Sequence, residues 1–175
     1  MFFVDATQLR WLDDSAEDLC VHGNAVAIIG NERFEYECNV SATAFYLLKT
    51  LTQNHIMGED NQLLPCCGHA IFPRGEANDC SDLMIIGCPD GIDWTVVHCA
   101  NGVKIITEQR NETFVEMGEY RKVVHGFVDK IKRFYEQSPQ RKLTGDAFDR
   151  RMYDAFWEEW ERRRKQTRGD MCNEG

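Results

Sequence analysis

No run of apolar residues in this chain approaches the roughly 20 that a membrane-spanning helix requires. The opening Met1-Phe2-Phe3-Val4-Asp5 has no basic leader before a long apolar stretch, so a signal peptide is not expected either. Positive charge is also in short supply: 20 Lys and Arg stand against 29 Asp and Glu, a formal charge of −9 over 175 residues. Proteins that hold nucleic acid gather cations against phosphate, so nucleic acid is not an expected partner. The local exception, Arg162, Arg163, Arg164, Lys165 and Arg168, reads as solvated cations that complement the C-terminal end of a helix dipole. The sequence has no internal repeat and no Cys-x-x-Cys pair. Its eight cysteines, with no secretion signal to take them to an oxidising compartment, read as reduced thiols in a cytoplasmic protein.

What is present is the composition of an ordinary globular domain, 43% hydrophobic and 28% charged, and long enough to close one core over residues 1–175 without disulfides. Ala25–Ile29 and Arg33–Cys38, joined through Gly30-Asn31, predict a β-hairpin with one wet face. Ser41 can cap a helix over about 42–54, with Val40 stapled on Phe45. Loops are expected over 55–65 and 73–79. Strand-like pieces follow at 70–72, 83–87, 92–99, 103–107 and 113–116, with a tight turn at Asn101-Gly102. Apolar residues three or four apart from Tyr120 to Tyr135 predict a helix over 119–137, stopped by Ser138-Pro139. A last helix over about 146–165 carries Phe148, Met152, Phe156 and Trp160 in one row, flanked by Tyr153 and Trp157, and leaves a frayed tail at about 167–175. The expected fold class is α+β: an antiparallel sheet, hairpin plus meander, covered by about three α-helices, the last one long and aromatic-rich.

Two segments carry residues with chemical potential, Leu63-Leu-Pro-Cys-Cys-Gly-His69 and Gly87-Cys-Pro-Asp-Gly-Ile-Asp-Trp94 with its strand running on to His98. Thiolate and imidazole are the ligands zinc favours, so Cys66, Cys67, His69 and Cys88 are the candidate metal ligands, with Cys20, His22, His98 and Cys99 as further donors. Thiol catalysis would use Cys67 or Cys66 as nucleophile, His69 or His98 as base, and Asp93 or Asp90 to orient the imidazole. The spacing itself favours structural roles: small thiols filling tight space, Gly68, Gly87 and Gly91 at turns or bulges, and His98 as a hydrogen-bonded histidine on the face it shares with Ile92, Trp94 and Val96. On that reading there is no cofactor, zinc being the alternative.

The same two segments, together with Phe127-Val-Asp-Lys-Ile-Lys-Arg-Phe-Tyr135 and Phe156-Trp-Glu-Glu-Trp160, resemble a group of small uncharacterised bacterial cytoplasmic proteins. The likeness covers roughly residues 10–165 and brings no activity with it. The functional expectation is therefore a non-catalytic bacterial protein acting on a protein partner, such as an acidic immunity-type inhibitor that captures a basic toxin or nuclease through long-range attraction. Tyr153, Trp157 and Trp160 are the candidate partner-binding residues, or the seam of a homo-oligomer. The alternative is a zinc-binding or cysteine/histidine-dependent enzyme built on the Cys66–His69 and Cys88–His98 segments.

Overall fold

Strand β1, Phe2–Trp11, runs antiparallel to β2, Val21–Ile29, which in turn pairs with β3, Glu32–Asn39. The computed structural model describes residues 1–13, 15–59, 61–68, 70–76, 80–143 and 145–169, with side chains to 167. Phe2, Val4 and Ala6 point into the core from β1. The sequence reading began only at the hairpin and missed this strand. Its alternation breaks after Thr7, where Gln8 takes a left-handed φ of 53° and the register to β2 shifts before Arg10, as in a β-bulge. The β2–β3 turn uses Gly30 at φ 61°; a Cβ there would lie 2.7 Å from Thr113 Oγ1. Glycine thus satisfies both the turn and a close neighbour.

Helix α1, Val40–Thr50, follows β3 without a linker. Asn39, not Ser41, caps it: the Ala42 N–H donates to Asn39 Oδ1 at 3.1 Å. Ser41 lies inside the first turn, where its hydroxyl accepts from the Val21 N–H at 2.8 Å and meets the Tyr135 hydroxyl at 2.8 Å. Every residue of α1 is buried, so this helix is the centre of the molecule and not an outer cover with one apolar stripe. Helix α2, Met117–Gln137, packs on α1 and β1. Helix α3, Ala147–Gly169, lies against α1 and the strands Ala70–Pro73 and Leu83–Ile86.

The aromatic row of α3 seats on the core: Met152, Phe156 and Trp160 are buried, and Phe156 lies 5.0 Å from Phe45 between ring centroids. Burial of each such side chain is worth about 1.5–3 kcal/mol. Tyr153 and Trp157 are half-buried, with Trp157 edge-on to Tyr135 and beneath the Lys132 ammonium. The helix also continues past the expected end. Thr167 is buried and pairs with His125, so the part of the proposed frayed tail at 167–169 is helical. Residues 170–175 lie outside the described set.

Arg163, read from sequence as a solvated cation, is also buried. It donates to Glu159 Oε1 at 2.6 Å and to Asp82 Oδ1 at 3.2 Å, while Lys49 of α1 donates to Asp82 Oδ1 at 2.6 Å and to the Leu83 carbonyl. Glu159 in turn accepts the Leu83 N–H at 2.7 Å. These charges satisfy one another and tie α1 and α3 to the strand that starts at Leu83, which matters because that strand carries one side of the site.

The remaining strands form two groups. Strands β8 (Thr95–Cys99), β9 (Gly102–Ile106) and β10 (Glu112–Glu116) make the expected antiparallel meander. Strands β4 (Leu64–Pro65), β5 (Ala70–Pro73), β6 (Leu83–Ile86) and β7 (Gly91–Ile92) pair as β4 with β7 and β5 with β6. The single strand expected over 92–99 is thus divided into β7 and β8, and the expected loop 55–65 ends in β4. The fold is α+β, with three helices and several antiparallel sheets. No helix among the described residues is long and apolar enough to cross a membrane.

A candidate thiol centre in an interrupted β-ribbon

Leu64 faces Ile92 and Pro65 faces Gly91; further along, Ala70 faces Ile86 and Pro73 faces Leu83. Both ladders keep one register, so 63–68 and 70–73 run opposite 83–93 as one antiparallel ribbon whose ladder is interrupted between the Pro65–Gly91 and Ala70–Ile86 pairs. The ladder bond that would close it is diverted: the Cys88 N–H turns to Cys67 Sγ, and the Gly68 carbonyl opposite accepts from Asn39 Nδ2 at 2.8 Å. The opening is held on both sides. The Cys66 N–H donates to the Asp90 carbonyl at 3.0 Å, and Ile85 is fixed to α1 by exchanging hydrogen bonds with the Tyr46 hydroxyl at 2.7 and 3.1 Å. At Gly87 a Cβ would fall 2.2 Å from the Cys67 carbonyl oxygen, so only glycine lets the two strands approach there.

Into this opening project Cys66, Cys67 and Cys88, whose three sulfur atoms all lie within 4.8 Å of one another. Cys67 Sγ donates to Cys88 Sγ at 3.0 Å, and the Cys88 N–H donates to Cys67 Sγ at 3.1 Å. All three side chains are half-exposed. Hydrogen bonds from Cys67, Cys66 and the Asp90 N–H hold the Cys88 thiol below its ordinary pKa, so Cys88 is the first of the three to ionise. The same bond to Cys88 pushes Cys67 and Cys66 up, because each donates a proton that it must keep to make the bond. The Tyr36 hydroxyl of β3 also donates to Cys66; Tyr36 is raised by burial first and by this contact second.

His98 and Asp93 are engaged away from the thiols. His98 Nε2 bonds the Thr50 carbonyl at 2.9 Å, the hydrogen-bonded histidine that its strand alternation implied. Asp93 does orient an imidazole, but that of His55: Oδ1 lies 2.7 Å from His55 Nε2 and also accepts the Leu63 N–H at 3.1 Å. Sequence reasoning missed His55, which sits in the segment read as loop and forms a two-way backbone bridge with Val96. It also missed Tyr36, which looked like one more apolar position of a hairpin. Cys20 donates to the Gly68 carbonyl at 3.4 Å, and burial pushes its thiol up to about 11; Cys38 is pushed to about 11 by burial as well. These two thiols are filling. His69 lies outside the described residues.

A cleft of about 360 Å³ lies behind the ribbon, lined in part by Cys20, Ser41, Gly68, Ile85, Met152 and Phe156. Several of its polar groups bond one another: Asn39 Nδ2 donates to the Gly68 carbonyl at 2.8 Å, and Tyr135 bridges Ser41 and the Leu19 carbonyl. Chemical capacity is concentrated at the three thiols. Comparison with known proteins finds no matching family model, no matching curated protein and no matching solved structure, so the functional argument rests on this geometry.

Proposed function

We propose that this protein binds a thiophilic metal ion, zinc in the first instance, through Cys66, Cys67 and Cys88. The observation that carries the reading is the convergence of three sulfurs within 4.8 Å on a ribbon opened where they meet. Zinc–sulfur bonds of about 2.3 Å in tetrahedral array set sulfur atoms about 3.8 Å apart, a spacing between the 3.0 Å of Cys67–Cys88 and the 4.8 Å that bounds the cluster. Ionisation starts at Cys88, and a bound cation favours loss of the protons still held by Cys66 and Cys67. Among the described residues the ion meets three half-exposed thiols, where a closed structural zinc site has four protein ligands. Since α1, α3 and β6 are already joined by buried charges and a common core, the ion is not asked to hold the fold together. Its work is at the surface of the ribbon, in exchange or in activating a bound group.

The partner-capture reading draws less support. Acidic side chains alternate with basic ones in ion pairs such as Asp5–Lys130, Glu112–Lys104, Asp129–Arg164 and Glu161–Lys132, which dilutes any single carboxylate face. Trp160, offered as a partner anchor, is wholly buried in the chain's own core, and Tyr153 and Trp157 pack beside it.

The test is metal analysis of the full chain, reduced, loaded with zinc and freed of excess. One zinc per chain is expected, lost on Cys66→Ser, Cys67→Ser or Cys88→Ser and kept on Cys20→Ser or Cys99→Ser. Zinc absent from the reduced wild type, or kept by all three cluster variants, overturns the reading.

A further inference from the structure

We propose that Cys67 and Cys88 form a reversible disulfide in the presence of a hydroperoxide, and that this bridge expels the metal from the cluster. The second clause rests on the metal reading above; the first stands on the sulfur geometry alone. Cys67 Sγ and Cys88 Sγ approach to 3.0 Å, closer than ordinary sulfur–sulfur contact, on opposite strands of the ribbon and within one residue of facing each other. Both are half-exposed, so a small oxidant reaches them, and both strands are pinned on either side of the opening. The third thiol, Cys66, is less suited to bridge Cys67: a bond between adjacent cysteines closes a small ring through one peptide unit whose planarity opposes it.

The chemistry balances with the peroxide as the only co-reactant. One of the two sulfurs, as its thiolate, attacks a peroxide oxygen; the O–O bond breaks, that sulfur becomes a sulfenic acid, and the other oxygen leaves as an alcohol, or as water when the oxidant is hydrogen peroxide, after taking up a proton. The other sulfur then displaces the hydroxyl from it, forming the Cys67–Cys88 S–S bond, and the hydroxyl departs as water with the proton the second thiol loses. Two thiols are oxidised and one peroxide is reduced. A low-molecular-weight thiol restores both cysteines by exchange through a mixed disulfide. With two of three thiolates joined at about 2.05 Å, a single sulfur donor remains, too few to retain zinc.

The experiment treats the full-length protein with hydrogen peroxide, metal-free and zinc-loaded in parallel, and follows two readouts. The first is a non-reducing peptide map, in which tryptic peptide 50–74 is expected linked to peptide 75–104. That link is expected to vanish on Cys67→Ser or Cys88→Ser, persist on Cys66→Ser, Cys80→Ser and Cys99→Ser, and reverse with added thiol. The second is zinc appearing in a chromogenic chelator at the rate at which the link forms. Circular dichroism on each variant separates loss of the thiol from loss of the fold, and Cys67→Ala and Cys88→Ala give a second pair of substitutions. A link through Cys66, or oxidation of Cys88 to sulfinic acid with no link, overturns the inference while leaving zinc binding intact. Formation of the Cys67–Cys88 link in a protein that never held zinc sinks the metal reading and the expulsion step, and sustains the disulfide.

Discussion

At the scale of single residues, the thiols divide into two populations that chemistry can tell apart. Burial raises Cys20 and Cys38 to about 11, so at neutral pH they stay protonated; Cys88 is shifted the other way by the donors around it. Because the thiolate is the nucleophile, alkylation of the reduced, metal-free protein with limiting iodoacetamide is expected to label Cys88 well before Cys20 or Cys38, as read by peptide mass spectrometry. Equal labelling of all three would contradict the assignment. Gly87→Ala places a methyl group 2.2 Å from the Cys67 carbonyl and must spread the ribbon. A cost of about 1–3 kcal/mol in denaturant unfolding is expected, together with a zinc affinity at least about tenfold weaker, the equivalent of about 1.4 kcal/mol. Gly75→Ala, where a Cβ meets nothing within 4 Å, serves as the neutral control.

At the scale of elements, the buried charges between α1, α3 and β6 are the joint most sensitive to substitution. Removing Glu159 or Lys49 leaves buried charges of the opposite sign short of a partner. Glu159→Gln or Lys49→Met is therefore expected to destabilise the protein by about 3–5 kcal/mol in urea unfolding, far more than loss of an exposed pair such as Lys104–Glu112. For the pH dependence, burial alone would raise Asp82, but Lys49 and Arg163 outweigh it and hold its carboxyl below the ordinary value. The unfolded chain then binds the proton more readily, so this stabilisation is present above the ordinary aspartate range and is lost as the pH falls through the depressed folded value. Urea midpoints measured from neutral pH into the acid range are expected to decline less steeply in Asp82→Asn than in the wild type.

Much of this element structure was legible beforehand. The hairpin, the meander after Thr95 and helices α2 and α3 all announce themselves through apolar periodicity, because each buries one face. What stayed hidden has physical causes. Strand β1 is broken by a bulge at Gln8; α1 is buried on every side, so the stripe of Phe45, Leu48 and Leu51 marks a helix but not its central place; Arg163 looks like any cation of a helix end until Asp82 is brought to it from 81 residues away. The site shows the same division. Cys66, Cys67 and Cys88 stand out by type and neighbours, whereas their convergence depends on the register of two short ladders that no local pattern sets. Asp93 was read as an orienting carboxylate, but its partner, His55, lies in a stretch with no periodic signal.

At the scale of the whole molecule, a closed core and a surface metal site are energetically separable. The core of α1 with Trp94, Tyr120, Phe127 and Trp160 needs no ion, so the metal-free protein is expected to remain folded by circular dichroism. Zinc should then stabilise it only by mass action, about 2.7 kcal/mol at a free concentration 100 times the dissociation constant. That rise in the melting temperature is expected to disappear in Cys88→Ser while the metal-free melting temperature stays close to wild type. A metal-free wild type that is unfolded would assign the ion a structural role instead. The most direct measurement of the central claim is X-ray absorption at the zinc edge of the loaded, reduced full-length protein. Three sulfur neighbours at about 2.3 Å are predicted, falling to two in Cys66→Ser if any ion is retained. A shell of oxygen and nitrogen alone, or three sulfurs unchanged by that substitution, would contradict it.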